Sequence, residues 1–220
     1  MILLEGVLAA EDVARVRRDL ESAPWADGAK TAGAAARPVK HNRQAAGDDP
    51  QVQALGEFVT AALRRRPTFE LAARPRRLSR LLFSRYEAGD TYGAHTDDAL
   101  MGDPPLRTDL AFTIFLSDPE SYDGGGLTIS TPLGEQAIKL SAGDAVLYQA
   151  GTIHHVAPVT RGVRLACVGW VQSLVRDPAQ RELLFDLATA RAQCAGAAAR
   201  ETLLLLDRTQ SNLLRMWAEP

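Results

Sequence analysis

The chain has four histidines, and three of them fall in two short stretches, "YGAHTDDA" around His95 and "TIHHVAPVTRGVR" from Thr152 to Arg164. His95 and Asp97 are two residues apart. On an extended strand, residues i and i+2 point to the same face, so an imidazole and a carboxylate converge on one point. A neutral nitrogen beside an anionic oxygen suits a divalent ion. A His-x-Asp triplet alone is common by chance, and its bland alternative is an exposed turn with a structural histidine. The second histidine site lies 59 residues downstream of His95, after the strand-and-turn pattern "AGDAVLYQAGT". One ligand from it completes two histidines and a carboxylate on one face of a metal. Three cis positions stay open, as in non-haem Fe(II) oxygenases. A closed structural zinc site needs a fourth protein ligand, usually cysteine, and neither Cys167 nor Cys194 is nearby in sequence. His154 and His155 face opposite sides of a strand, so at most one joins the group, and periodicity does not choose between them. Arg164 follows the turn "PVTRG" ten residues after His154. On the returning strand it can face the same cavity, where a guanidinium forks onto a carboxylate. That is a natural anchor for a dicarboxylate chelating the metal with its other end. His41, in a loop-like segment, plays no such part.

These residues need strands to hold them, and the sequence supplies strands between two helical regions. "AAEDVARVRRDLESA" puts Val13, Val16 and Leu20 on one helical face, with Glu11 and Asp12 in the favourable first turn. "DDPQVQALGEFVTAALRRR" predicts a second helix with Asp at its cap, Pro50 in its first turn and Val52, Leu55, Val59 and Leu63 at helical spacing. Between them, "KTAGAAARPVKHNRQAAGDDP" reads as a loop. After Pro75, seven short β-branched and aromatic runs are separated by glycine-bearing turns, which implies an all-β sandwich or barrel. In "DLAFTIFLS", Leu110, Phe112, Ile114 and Leu116 alternate with smaller or polar neighbours. From about Pro178 two amphipathic helices follow. The expected divisions are 1–77, a helical and mixed segment packing on the core; 78–175, the β core; and 176–220, a helical segment. Trp170 and Phe112 are expected in the core, Asp98 on the solvated side, and Asp109 and Thr113 are left undecided.

Composition narrows the function classes. A formal net charge of −2 gives no argument for nucleic acid or an anionic membrane. Seven arginines and one glutamate between Arg64 and Arg80 form a local basic run; it is either a solvated helix end or a rim that attracts an anionic substrate. The first residues lack a signal peptide's basic and apolar regions, no window is long and apolar enough to span a membrane, and no CxxC occurs. A cytoplasmic protein with reduced thiols is expected. The apolar block Leu203 to Leu206 suggests burial against something, either the β core or a second copy through the C-terminal helices.

"YEAGDTYGAHTD" followed by "IHHVAPVTRGVR" resembles the prolyl-hydroxylase-like Fe(II)/2-oxoglutarate dioxygenases. More narrowly, "RTDLAFTIFLSDPESYDGGGL", "HHVAPVTRGVRLA" and "RTQSNLLRMW" are similar to the bacterial PKHD-type hydroxylases, often described as iron-uptake factors. The resemblance is strongest from Leu78 to Val175 and implies a mainly β fold with flanking helices around a double-stranded β-helix, or jelly-roll, core. It implies Fe(II) ligands at His95, Asp97 and His154, so it selects His154 over His155, and it places the far carboxylate of 2-oxoglutarate on Arg164. Tyr86 is either a hydrogen-bond donor to 2-oxoglutarate or a half-buried sheet residue. Gly126 stands where the family commonly carries an acidic residue, and His155 where one often follows the distal histidine. The implied reaction couples O2 and 2-oxoglutarate to hydroxylation of an unactivated C–H bond, with succinate and CO2 released and L-ascorbate keeping iron reduced. The substrate, a small molecule, an amino acid or a peptide side chain, is left open, because fold does not fix function. Two rivals are a non-catalytic iron or 2-oxoglutarate sensor with the same fold, and a zinc hydrolase. The hydrolase lacks a general base near the triad and leaves Arg164 unexplained.

Overall fold

The computed structural model describes residues 1–220. Two antiparallel sheets face each other as the jelly-roll expected for the core. The larger sheet runs in the order Ile2–Leu4, Ala145–Gln149, Leu110–Phe115, Arg164–Ser173, Leu82–Tyr86, Arg43–Ala45, Trp25–Asp27, with Pro75–Leu78 also pairing on Arg164–Ser173. The smaller sheet runs Gly134–Ile138, Leu127–Thr131, His154–Val156, Thr91–His95, Lys40–His41.

Strand periodicity assigns each face of the larger sheet to a different environment. Leu110, Phe112, Ile114, Leu147, Leu165 and Cys167 join one apolar cluster on its outer face. Helices Ala10–Glu21, Pro50–Arg64 and Pro67–Ala73 cover that face, contributing Val13, Val16, Leu20, Val52, Leu55, Val59, Leu63 and Phe69. The alternate residues Ala111, Phe115, Val146 and Tyr148 point inward and pack with Leu127, Ile129 and Val156 of the smaller sheet. The inner space stays partly open, and the site residues line it. Burial on both faces explains why all six residues of Leu110–Phe115 are buried, where the sequence pattern suggested one covered face.

Residues 1–77 give three helices and five strands, which extend both sheets. The segment expected as a loop before Asp49 contains two of those strands, Lys40–His41 and Arg43–Ala45. They are two and three residues long, and their inward side chains are polar, so they carry no hydrophobic alternation. Pro67–Ala73, also unanticipated, is capped by Arg74 in the left-handed region at φ 42°. The C-terminal helices Pro178–Cys194 and Arg200–Trp217 pack on each other, with an Arg191–Asp207 ion pair at 2.9 Å. No helix is long and apolar enough to cross a membrane.

Candidate active site

His95 and His154 stand directly opposite each other on adjacent antiparallel strands. Their rings are 4.3 Å apart between centroids. Asp97 reaches the same point by a route that strand alternation did not foresee. The strand ends at His95, and the chain then turns so that the Asp97 amide donates to the Ala150 carbonyl at 3.3 Å. One ligand atom from each of His95, Asp97 and His154 lies within 4.8 Å of the others. His155, one residue on, pairs with Thr128 and does not line the cavity.

Local hydrogen bonds prepare both imidazoles for a metal. His95 Nδ1 lies 2.8 Å from the Gly93 carbonyl, and His154 Nδ1 lies 2.9 Å from the Thr152 carbonyl. A carbonyl only accepts, so each Nδ1 carries the proton and each Nε2 keeps its lone pair. Such bonds also fix ring orientation. His154 Nε2 is 3.9 Å from Asp97 Oδ1, while Asp97 Oδ2 is buried without a partner. Burial, with His154 adding to it, pushes the His95 pKa down to about 4, so the ring is neutral at pH 7. Burial raises the Asp97 carboxyl above its ordinary range, against the pull of His154 and the Trp170 indole. A divalent ion at this point would supply the charge that an unpaired buried carboxylate lacks. Two imidazoles and one carboxylate with no fourth ligand fit Fe(II) better than a closed zinc site.

The cavity is lined by 25 residues, 12 of them hydrophobic, with the polar groups converging on the His95, Asp97 and His154 cluster. Arg164 lies on the opposite sheet, 2% exposed, directly across from Tyr86. Its guanidinium carbon sits 5.1 Å from the Tyr86 ring centroid and 5.6 Å from that of Phe115. The Arg164 stem packs at Gly125, whose φ is +63°; a Cβ there would meet Val159, Tyr122 and Arg164 at 2.9 to 3.1 Å. Arg164 joins no ion pair, and its Nε has no partner. Tyr86 is buried beside it, and burial raises its phenol pKa.

Other expectations divide. Thr113 lines the cavity, whereas Asp109 is turned away, bound to Arg107 and to the Ser173 amide. Phe112 belongs to the outer cluster and also borders the cavity. Trp170 packs against the inner apolar cluster, as expected, and also lines the cavity, because its strand places even-numbered residues inward with Arg164 and Val168. Asp98 is exposed, as expected, but at the cavity mouth against Gly33. None of the seven arginines from Arg64 to Arg80 lines the cavity. Five of them serve structure instead: Arg64 pairs with Glu70, and Arg66, Arg74, Arg76 and Arg77 donate to backbone carbonyls. The sequence reading missed Lys40, Gln44 and Thr31, which line the cavity wall. The available signal was the alternation in "KHNRQ", masked because both its faces are polar.

Residues 81–172 match the family model for the 2OG-Fe(II) oxygenase superfamily. A PKHD-type hydroxylase from Synechococcus sp. (strain JA-3-3Ab) is 49% identical over 223 residues, covering all of both chains. Another from Maricaulis maris is 50% identical over 221 residues, covering all of this chain and 99% of that one. Among solved structures, a 2OG-Fe(II) oxygenase-family oxidoreductase from Burkholderia pseudomallei superposes with a TM-score of 0.59 at 16% identity, covering 77% of this chain and 82% of that one. A Pseudomonas putida prolyl-4-hydroxylase gives 0.51 at 21% identity, over 78% and 91% of the two chains. The structural likenesses speak for the fold, and full-length identity near one half speaks for the family: this chain belongs to the PKHD-type hydroxylases, 2-oxoglutarate-dependent Fe(II) dioxygenases.

Proposed function

We propose that His95, Asp97 and His154 hold Fe(II), that Arg164 seats the far carboxylate of 2-oxoglutarate, and that the chain hydroxylates a C–H bond of a small-molecule, amino-acid or peptide substrate. The observation that carries this reading is a buried guanidinium without an anion, lining the same cavity as a two-histidine, one-carboxylate cluster. When bound, iron and the keto-diacid supply the oxidising power that puts one oxygen of O2 into the substrate while succinate and CO2 leave. The protein's residues orient and shield. The Gly93 and Thr152 carbonyls hold the imidazoles in the ligating tautomer, and Trp170 lines the cavity with them. Tyr86, opposite Arg164, donates to the same carboxylate. L-Ascorbate assists by re-reducing iron. Two unpaired cysteines support a cytoplasmic setting, and a link to iron uptake rests on the family resemblance. Apolar residues exposed on the C-terminal helices support a contact between two copies of the chain.

Anaerobic reconstitution tests the assignment. Fe(II) and 2-oxoglutarate together should give a visible charge-transfer band that neither gives alone; no band in the wild-type protein sinks the reading. His154→Ala should lose the band and all substrate-uncoupled succinate release, whereas His155→Ala should keep most of both. The reverse result moves the ligand by one residue.

A further inference from the structure

The proposed chemistry leaves one buried charge without a use. Lys40 is 6% exposed, lines the cavity and makes a single hydrogen bond, to Thr31 Oγ1 at 3.0 Å. It joins none of the ion pairs. An ammonium has three donors, and burying one charged and unpaired is costly to the fold. The placement is built rather than incidental. Lys40, Asn42 and Gln44 alternate inward at 6%, 6% and 4% exposure, while His41 and Arg43 point out to solvent. Asn42 packs on Gly28, where a Cβ would come within 1.9 Å of its Oδ1. Thr31 Oγ1 bonds Gln44 Oε1, and Gln44 Nε2 donates to Ser84 Oγ at 3.4 Å, so a polar row runs along the wall from Lys40.

This row borders the metal side of the cavity. Lys40 Nζ sits 5.0 Å from the Tyr92 ring centroid, and Tyr92 stacks on His95 at 3.7 Å. Arg164 keeps different company, against Tyr86 and Phe115. The two cations therefore mark two seats for anions. In the proposed complex, Fe(II) and Arg164 offset Asp97 and the 2-oxoglutarate dianion, and Lys40 is the charge left over. Asp98, the other carboxylate on the cavity lining, is exposed at the mouth, where water solvates it.

We propose that Lys40 determines specificity by pairing with a free carboxylate on the primary substrate, a small carboxylic acid, while Thr31, Gln44 and Ser84 hydrogen-bond polar groups beside it. The inference rests on the assignment of Arg164 to 2-oxoglutarate. Saturation-transfer NMR on the full chain tests it, with propionate and propionamide as probes and 2-oxoglutarate in excess. The wild-type protein should transfer to propionate and not to propionamide. Lys40→Met and Lys40→Gln should each cut that transfer at least fivefold, and Lys40→Arg should retain it, with 2-oxoglutarate affinity within twofold of wild type in all three. Equal transfer to acid and amide, no transfer in the wild-type protein, or full transfer in both neutral variants overturns the proposal. The samples carry Zn(II), a diamagnetic divalent ion that offsets Asp97 in place of iron, so a missing charge-transfer band would sink the iron assignment without deciding this one.

Discussion

Arg164 and Lys40 are cations walled into one cavity, neither in an ion pair, and their removal should have opposite signatures. Arg164→Ala removes the charge-assisted fork that holds a dicarboxylate. Losing one partner of a buried charged pair raises the 2-oxoglutarate Kd about 30-fold or more. Fe(II) binding should survive, because none of the three clustered ligands depends on Arg164. Calorimetric titration of each component separates the two, and unchanged 2-oxoglutarate affinity defeats the role given to Arg164. Lys40→Met should instead stabilise the free protein. Burial lowers the Lys40 pKa from 10.5 to about 8, against the pull of Asp97. Below pH 8 both the folded and unfolded states hold the proton, and the folded state carries the full penalty. Between about 8 and 10.5 the folded state has released its proton while the unfolded state still binds one, so stability rises with pH across that window. Removing the ammonium should add about 2 kcal/mol at pH 7, after allowing for the lost bond to Thr31, and should flatten that rise. Urea unfolding at pH 7 and pH 10 measures both effects; a less stable variant would mark Lys40 as a structural counter-charge.

At the scale of elements, the C-terminal helices carry a prediction. Leu205 and Met216 are 52% and 72% exposed and lie about three turns apart on one side of Arg200–Trp217. If a second copy covers that side, wild-type protein sediments as a dimer and Leu205→Lys shifts it toward monomer, with 2-oxoglutarate binding unchanged. A monomeric wild-type protein would remove the contact. These helices also show what the sequence could reveal. The 3.6-residue periodicity is plain in Arg200–Trp217 and weak in Pro178–Cys194, and it does not say what covers the apolar side. Pro50–Arg64 was legible from its Asp49 cap to four of its five buried apolar positions, Ala62 excepted, because local bonding and core packing agree there. The core strands were legible for the same reason. The strands Lys40–His41 and Arg43–Ala45 were not, since their inward residues Lys40 and Gln44 are themselves polar and no apolar alternation exists to detect. His95 and His154 could be paired from spacing and family likeness. The exact placement of Asp97 could not, because it depends on a turn held by Ala150, far away in sequence.

Taken as a whole molecule, the site is a clasp between its two layers. His95 and His154 belong to the smaller sheet, Asp97 follows the end of one of its strands, and Arg164 and Tyr86 belong to the larger sheet. Lys40 and Arg43 sit on consecutive short strands that join different sheets, so the polar row crosses between layers as well. A metal and a keto-diacid bound together would therefore add a further link between layers joined by apolar packing and by the polar row from Lys40 through Thr31 and Gln44 to Ser84. Ligands that bind only the folded state add RT ln(1 + [L]/Kd), about 2.7 kcal/mol at one hundred times Kd. For a chain of this size each kcal/mol moves Tm by roughly 2–4 °C. Anaerobic melting with Fe(II) and 2-oxoglutarate, each at one hundred times its Kd, should raise Tm by about 10 °C or more. Chelation of the metal should reverse most of the gain. In His95→Ala the metal contribution should vanish while a smaller gain from 2-oxoglutarate on Arg164 persists; in Arg164→Ala the metal gain should persist and the keto-diacid gain should disappear. Equal gains in all three proteins would mean that the ligands bind somewhere other than between the sheets.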